Sequence, residues 1–288
     1  MIELILAILF SSCIFVIFKL FKRFEIDTFQ AIVFNYFTAA ICGFGLYSSE
    51  WNSNNLINTQ WIPFSITSGI LFISLFVIMG LSAQKNGVAI TSVATKMSMA
   101  SGILGMIFLY HESVGFLKIS GIILAFIGVI AVSWMKSDKN DGQSSWWMLL
   151  VLFFGSGLLD IILNYAQKNV LGTLTTSLFS AIGLAIAGIF GLIIFIFQSI
   201  QGKTKFELKN LIAGIVLGIP NYFSIYMLIS SYQTSGWRDS TVLSIINVSV
   251  VLTSTLLGLL LFNEKINRLK LIGLICSLLA IALLYLAN

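Results

Sequence analysis

"YHESVGFLKISG", residues 110 to 121, aligns without a gap on "FNEKINRLKLIG", residues 262 to 273. Glu112 falls on Glu264, Leu117 on Leu269, Lys118 on Lys270 and Gly121 on Gly273. A second pair, "SAQKNG" at 82 to 87 and "SYQTSG" at 231 to 236, matches Ser82, Gln84 and Gly87 to Ser231, Gln233 and Gly236 at nearly the same separation. Lys19 and Lys168 share that separation. Matches that recur in the same order mark an internal duplication, with one copy over 1–137 and the other over 145–288.

What is duplicated follows from composition. Hydrophobic residues make up 58% of the chain and charged residues 9%, against roughly 45–50% and about 25% in a soluble domain. The sequence therefore predicts an integral membrane protein, multi-pass and in the cell membrane. Ten apolar segments lie at 2–21, 28–48, 61–84, 87–110, 115–135, 146–167, 174–200, 209–233, 238–262 and 268–287. Each is close to the roughly 20 residues a helix needs to cross the hydrocarbon core. Trp51, Trp61, Trp134, Trp146, Trp147 and Trp237 fall at segment ends or in connections, where amphipathic rings favour the interface. The first segment lacks a basic lead-in and a polar cleavage region, so it reads as a span and not a removable signal. The longest connections, "SSEWNSNNLINTQ" and "KSDKNDGQSS", are polar loops with no room for a soluble domain.

Ten spans in two copies means five per copy. Because five is odd, the second copy enters the membrane from the opposite side, and the fold expected is all-α membrane, ten transmembrane helices as two inverted five-helix repeats. Inverted repeats recur in secondary transporters, with a site near the midplane and access that alternates between the two sides. Lys and Arg fix the expected orientation. Twelve lie on the face opposite the termini (Lys19, Lys22, Arg23, Lys85, Lys136, Lys139, Lys203, Lys205, Lys209, Lys265, Arg268, Lys270) and three on the termini's face (Lys118, Lys168, Arg238). Basic short loops stay cytoplasmic, so both termini are expected outside. The net charge of +5 is a topology signal and gives no reason to expect nucleic acid as a partner.

With these residues in view, the chain resembles the EamA-type branch of the drug/metabolite transporter superfamily. Each half places a Glu at the end of its fourth helix, followed by "LKISGIILAFIGV" or "LKLIGLICSLLAI". The resemblance covers nearly the whole chain. It implies two EamA-like units around a cavity open alternately to each side, and substrates among amino acids, other small metabolites or toxic compounds, often exported. The second spans, "FQAIVFNYFTAA" and "SLFSAIGLAIAG", lack the arginine many members carry there, with Asn35 nearby in the first.

Candidate site residues are the polar groups at bilayer depth, which are costly there and mark pathways or sites. Lys96, in "VATKMSM", lies roughly 13 Å into the fourth span by the 1.5 Å helical rise. It either snorkels towards an interface or lines a cavity. Asp160 in "GSGLLDIILNYAQ" is its candidate partner, with Asn164 one turn further on the same face. The two charges form either a static ion pair or a site for a charged or zwitterionic substrate, with Asp160 able to exchange protons. Pro220 in "GIVLGIPNYFSIYM" removes a backbone donor and crowds the carbonyl of Val216, so a kink or opening is expected there. Asn221, Tyr222, Ser224 and Tyr226 follow as lining candidates, and Asn247 in the ninth span is a further one.

Other groups read as structural. Glu112 and Glu264 stand just before the fifth and tenth spans, where a carboxylate suits a helix N-terminus. His111 is an interfacial residue beside Glu112, and Cys13, Cys42 and Cys276 are packing residues without metal-ligand spacing. No nucleotide-binding motif occurs, and neither a nucleophile with a base nor a metal ligand set is apparent, so an enzyme is not expected and no cofactor is called for. The reading is a secondary transporter of a small metabolite such as an amino acid, an exporter driven by protons or by exchange. A multidrug or cationic-compound exporter is the alternative, and the working unit is a monomer or a homodimer.

Overall fold

The computed structural model describes residues 2–46, 59–110, 115–133, 145–170, 176–236, 239–264 and 268–287. Trp51, Trp134, Trp237, Arg238, His111, Glu112, Lys136, Lys139, Lys265 and most of both long polar loops lie outside them. Ten α-helices follow in chain order: α1 Ile2–Arg23, α2 Thr28–Leu46, α3 Ile62–Lys85, α4 Val88–Tyr110, α5 Phe116–Ser133, α6 Trp146–Asn169, α7 Thr176–Ile200, α8 Leu208–Thr234, α9 Asp239–Phe262 and α10 Arg268–Leu286. One 3-10 turn, Thr59–Trp61, leads into α3. The helices coincide with the ten apolar segments because nothing but hydrogen-bonded helix satisfies the backbone along such a run in lipid.

Among the described residues, eight of the ten helices are long and apolar enough to span a membrane. In α5 and α10 the apolar stretches among the described residues run over 116–131 and 271–286, within helices of 18 and 19 residues. The outward faces carry continuous apolar stripes at helical spacing. Examples are Ile119, Ile123, Ile127 and Ile130 on α5, Ile189, Ile193, Ile196 and Ile200 on α7, and Leu252, Leu256 and Leu260 on α9. Exposed stripes of this extent would be a liability in water and are suited to lipid. The chain is a multi-pass helical membrane protein.

Two compact units compose the chain, and each draws on both sequence halves. Unit one comprises Met1–Leu20, Ile78–Ile161 and Ser224–Asn288; unit two comprises Phe21–Val77 and Ile162–Phe223. Helices α1, α3, α6 and α8 contribute to both.

Within unit one, α5 packs on α10 and α4 on α9. A Cβ on Gly121 would meet Leu284 and the Ala280 carbonyl, and one on Gly128 would lie 3.1 Å from the Gly273 carbonyl oxygen. The contacts advance along α5 as they retreat along α10, so the two helices are antiparallel and meet through small residues that let backbones approach. The α4 and α9 helices follow suit. Val88 lies beside Gly258, Ser254 Oγ donates to Ser92 Oγ at 2.6 Å, and Asn247 Nδ2 reaches Met99 Sδ at 3.5 Å.

Unit two repeats the pattern with α2 on α7. Gly43 faces Ala181, Gly188 faces Phe37 and Gly191 faces Val33, again antiparallel. Gly214 and Gly218 of α8 seat against Phe34, Asn35 and Thr38 of α2. Trp61, expected at the interface, is instead buried in this unit with Ala166, Val170, Leu178 and Phe179. Its ring is apolar over most of its area and fills the space where α3 begins. Trp146 and Trp147 are exposed at the start of α6, as interfacial rings should be. Cys13 is exposed and Cys42 and Cys276 are half-buried, all three as free thiols.

Candidate functional site

The polar residues singled out by depth divide between the units. Lys96, Asp160, Ser224, Tyr226 and Asn247 belong to unit one; Asn164, Pro220, Asn221 and Tyr222 belong to unit two. Asn164 is half-buried on α6 and Tyr226 half-buried on α8.

In unit one, Lys96 is half-buried on α4 and Asp160 stands on α6. The lipid-facing stripe of α6 runs through Trp147, Val151, Phe154, Leu158 and Tyr165. At 3.6 residues per turn, Asp160 points almost the opposite way from Leu158. The Asp160 residue is nonetheless exposed. The carboxylate is therefore accessible on a face of α6 turned away from that stripe.

The α4 backbone comes close beside it. A Cβ on Gly102 would lie 3.3 Å from Asp160 Cβ and 3.5 Å from the Gly157 carbonyl oxygen. Ser101 Oγ donates to the carbonyl oxygens of Ser98 and Phe153, both at 2.8 Å, and so fastens α4 to α6. Glycine at 102 and 157 thus sets the approach of the two helices that carry the charges.

Lys96 and Asp160 feel each other's charge. Yet among the described residues neither forms an ion pair within 4.0 Å. The static ion pair that the sequence allowed is therefore not made.

Asn247 is buried on α9 and donates to Met99 Sδ, three residues beyond Lys96 on α4. A thioether is a weak acceptor, so this amide has bonding capacity in reserve.

In unit two, Asn221 is buried and its Nδ2 donates to Asn35 Oδ1 at 3.2 Å. Asn35 is fully buried, and among the described residues its own Nδ2 has no acceptor. The sequence signal for Asn35 was its place in the second span; its partner across 186 residues was not readable. Tyr222 is buried with its ring against Phe223 and near Gly43. Pro220 does not interrupt its helix: α8 continues unbroken from Leu208 to Thr234, so the expected opening is absent. Membrane helices tolerate a missing donor of this kind.

A carboxylate placed at a helix start by the sequence turns out to serve a different helix. Glu264, just before α10, accepts from the backbone N–H of Val88 at 2.8 Å and of Ala89 at 3.4 Å. It therefore caps α4, the helix that carries Lys96. Its Oε1 is also 3.6 Å from Lys19 Nζ.

At the start of α2, Asp27 Oδ1 accepts from the N–H groups of Phe29 and Gln30, and Asn210 Oδ1 accepts from the Asp27 N–H. Asn210 Nδ2 also donates to Gln30 Oε1. These groups tie α2 to α8 within unit two and were not anticipated from the sequence.

No protein-family model matches the chain. A crystal structure of a protein superposes with a TM-score of 0.60 at 13% sequence identity, covering 98% of each chain, which is a likeness of fold. In sequence, the chain is 30% identical over 292 residues to an uncharacterized protein of Haemophilus influenzae, covering 98% of this chain and 97% of the relative. With identity at that level along nearly the full length of both, the chain belongs to the family of that Haemophilus influenzae protein.

Proposed function

We propose that the protein is a secondary transporter that moves a small metabolite, an amino acid or related solute, across the membrane by alternating access, as an exporter. The observation that carries this reading is the antiparallel pairing of helices with their sequence counterparts: α2 with α7, α4 with α9 and α5 with α10. Such pairing is what inverted five-helix repeats produce, because an odd number of spans reverses each counterpart. One further feature supports it. The matched "SAQKNG" and "SYQTSG" segments both end in a glycine of positive φ, Gly87 at +99° and Gly236 at +69°. The duplication accords with membership of the EamA-type branch of the drug/metabolite transporter superfamily.

Lys96 and Asp160 supply the chemistry. A membrane-depth cation and anion held out of contact suit a solute with a charge of its own, and an accessible carboxylate can take up and release a proton during the cycle. Binding energy would come from charge-assisted hydrogen bonds made where water is scarce. The test is reconstitution in proteoliposomes with an imposed proton gradient and flux measured for a panel of amino acids and organic cations. Saturable flux of one class, with half-saturation weakened in Lys96→Met or Asp160→Asn, is expected. Absence of gradient-dependent flux for every class would remove the reading.

A further inference from the structure

Glu264 holds together more than a capping residue needs to. Asn263, in the left-handed conformation at φ 51°, turns the chain after α9, and the Glu264 backbone N–H bonds back to the Gly258 carbonyl. The side chain then enters a slot cleared by two glycines. A Cβ on Gly87 would lie 2.8 Å from both carboxylate oxygens, and one on Gly258 would lie 2.8 Å from Oε2. Inside the slot the carboxylate accepts from the Val88 and Ala89 amides, the positive end of α4. Lys19 Nζ completes the knot at 3.6 Å from Oε1 and donates to the Gln84 carbonyl at 3.3 Å. Four helix ends, those of α1, α3, α4 and α9, are thereby tied through one carboxylate in unit one.

We propose that this knot is a latch that keeps its end of unit one closed and must release for access to change sides. The inference rests on the transporter reading above. Several properties distinguish the knot from an ordinary cap. The carboxylate is only 14% exposed and the lysine 22%, so screening by solvent is limited. The cap is supplied from a residue 176 positions away in sequence, so that α4 cannot shift without the α9–α10 connection moving or letting go. Both glycines exist at positions where any side chain would exclude the carboxylate, and Gly87 at φ +99° also forms the α3–α4 turn. Lys96 lies two turns along α4 from the capped amides, so releasing the latch frees the helix that carries the site.

The experiment places a single cysteine at Thr95, half-buried on α4 and about 10 Å below the capped amides by helical rise, in a chain with Cys13, Cys42 and Cys276 replaced by alanine. A membrane-impermeant maleimide is added to one side or the other of oriented vesicles, and labelling rates are compared with melting temperatures. With the latch intact, Thr95→Cys is expected to label slowly from the side of Glu264 and faster from the far side. Glu264→Gln, and separately Lys19→Met, should raise labelling from the Glu264 side several-fold and lower it from the far side. Lys19→Met keeps the α4 cap, so it reports on the ion pair even if Glu264→Gln folds poorly. Lowered melting temperatures with unchanged rates from both sides would make Glu264 a static cap and overturn the proposal. Shifted rates without flux in proteoliposomes would leave the latch standing and count against the transporter reading alone.

Discussion

In the proposed function Asp160 and Lys96 carry the chemistry, and their separation makes a sharp prediction. Removing one partner of a buried, directly bonded ion pair costs about 3–5 kcal/mol. Neither residue has such a partner within 4.0 Å among the described residues, so Lys96→Met and Asp160→Asn should each leave the melting temperature within a few degrees of wild type. Affinity is a different matter. A hydrogen bond to a charged group contributes about 1.5–3 kcal/mol, so losing one should weaken half-saturation roughly ten- to a hundredfold. Melting curves and flux titrations on the same preparations decide the matter, and a large loss of stability with unchanged affinity would assign the pair to packing. Asp160→Asn should in addition abolish the pH dependence of flux, since the amide cannot exchange a proton. A mutant profile that keeps the wild-type pH dependence would place proton exchange elsewhere.

At the scale of the helix, the contact of α4 with α6 is set by absent side chains. A Cβ on Gly157 would lie 2.8 Å from the Gly102 backbone nitrogen and run into Ser101 Oγ. Backbone cannot move aside cheaply, so Gly157→Ala should destabilise by about 1–3 kcal/mol, the usual range for overpacking. Gly45→Ala is the control. Among the described residues nothing lies within 4 Å of a Cβ there, and the gain in helix propensity, up to about 1 kcal/mol, favours alanine. A thermal comparison of the two variants should give opposite signs; equal shifts would mean the α4–α6 crossing is not held by that contact. The sequence showed the helices well, because hydrophobic length sets a span and needs no tertiary knowledge. Asp160 and Lys96 were legible for the same reason, as charges interrupting apolar runs. What it could not show was which helix Glu264 caps. Local position points to α10, and only folding brings the carboxylate to α4, 176 residues away. Trp61 failed for a related reason: an aromatic at a span's end reads as interfacial until neighbours such as Phe179 are seen to cover it.

For the molecule as a whole, the proposed duplication and the antiparallel pairs meet in one geometric statement that can be tested without a substrate. If each half is an inverted copy, the α4–α9 pair has one register along its length, with Val88 beside Gly258, Ser92 on Ser254 and Met99 by Asn247. Ser92 and Ser254 are both fully buried with hydroxyls 2.6 Å apart, which brings their Cβ atoms near the roughly 3.5–4.5 Å that a disulfide requires. Ser92→Cys with Ser254→Cys, in a chain freed of Cys13, Cys42 and Cys276, should therefore crosslink on mild oxidation. Ser92→Cys with Asn247→Cys, about two turns out of register and near 10 Å away by helical rise, should not. The bond would join counterpart helices of the two halves near the latch end of α4. Transport that requires α4 and α9 to part there should stop on oxidation and recover with reductant. Crosslinking of the mismatched pair would overturn the register. A matched crosslink that forms fully while flux continues would mean that α4 and α9 move as one body, and that the change of access is made by the other helices.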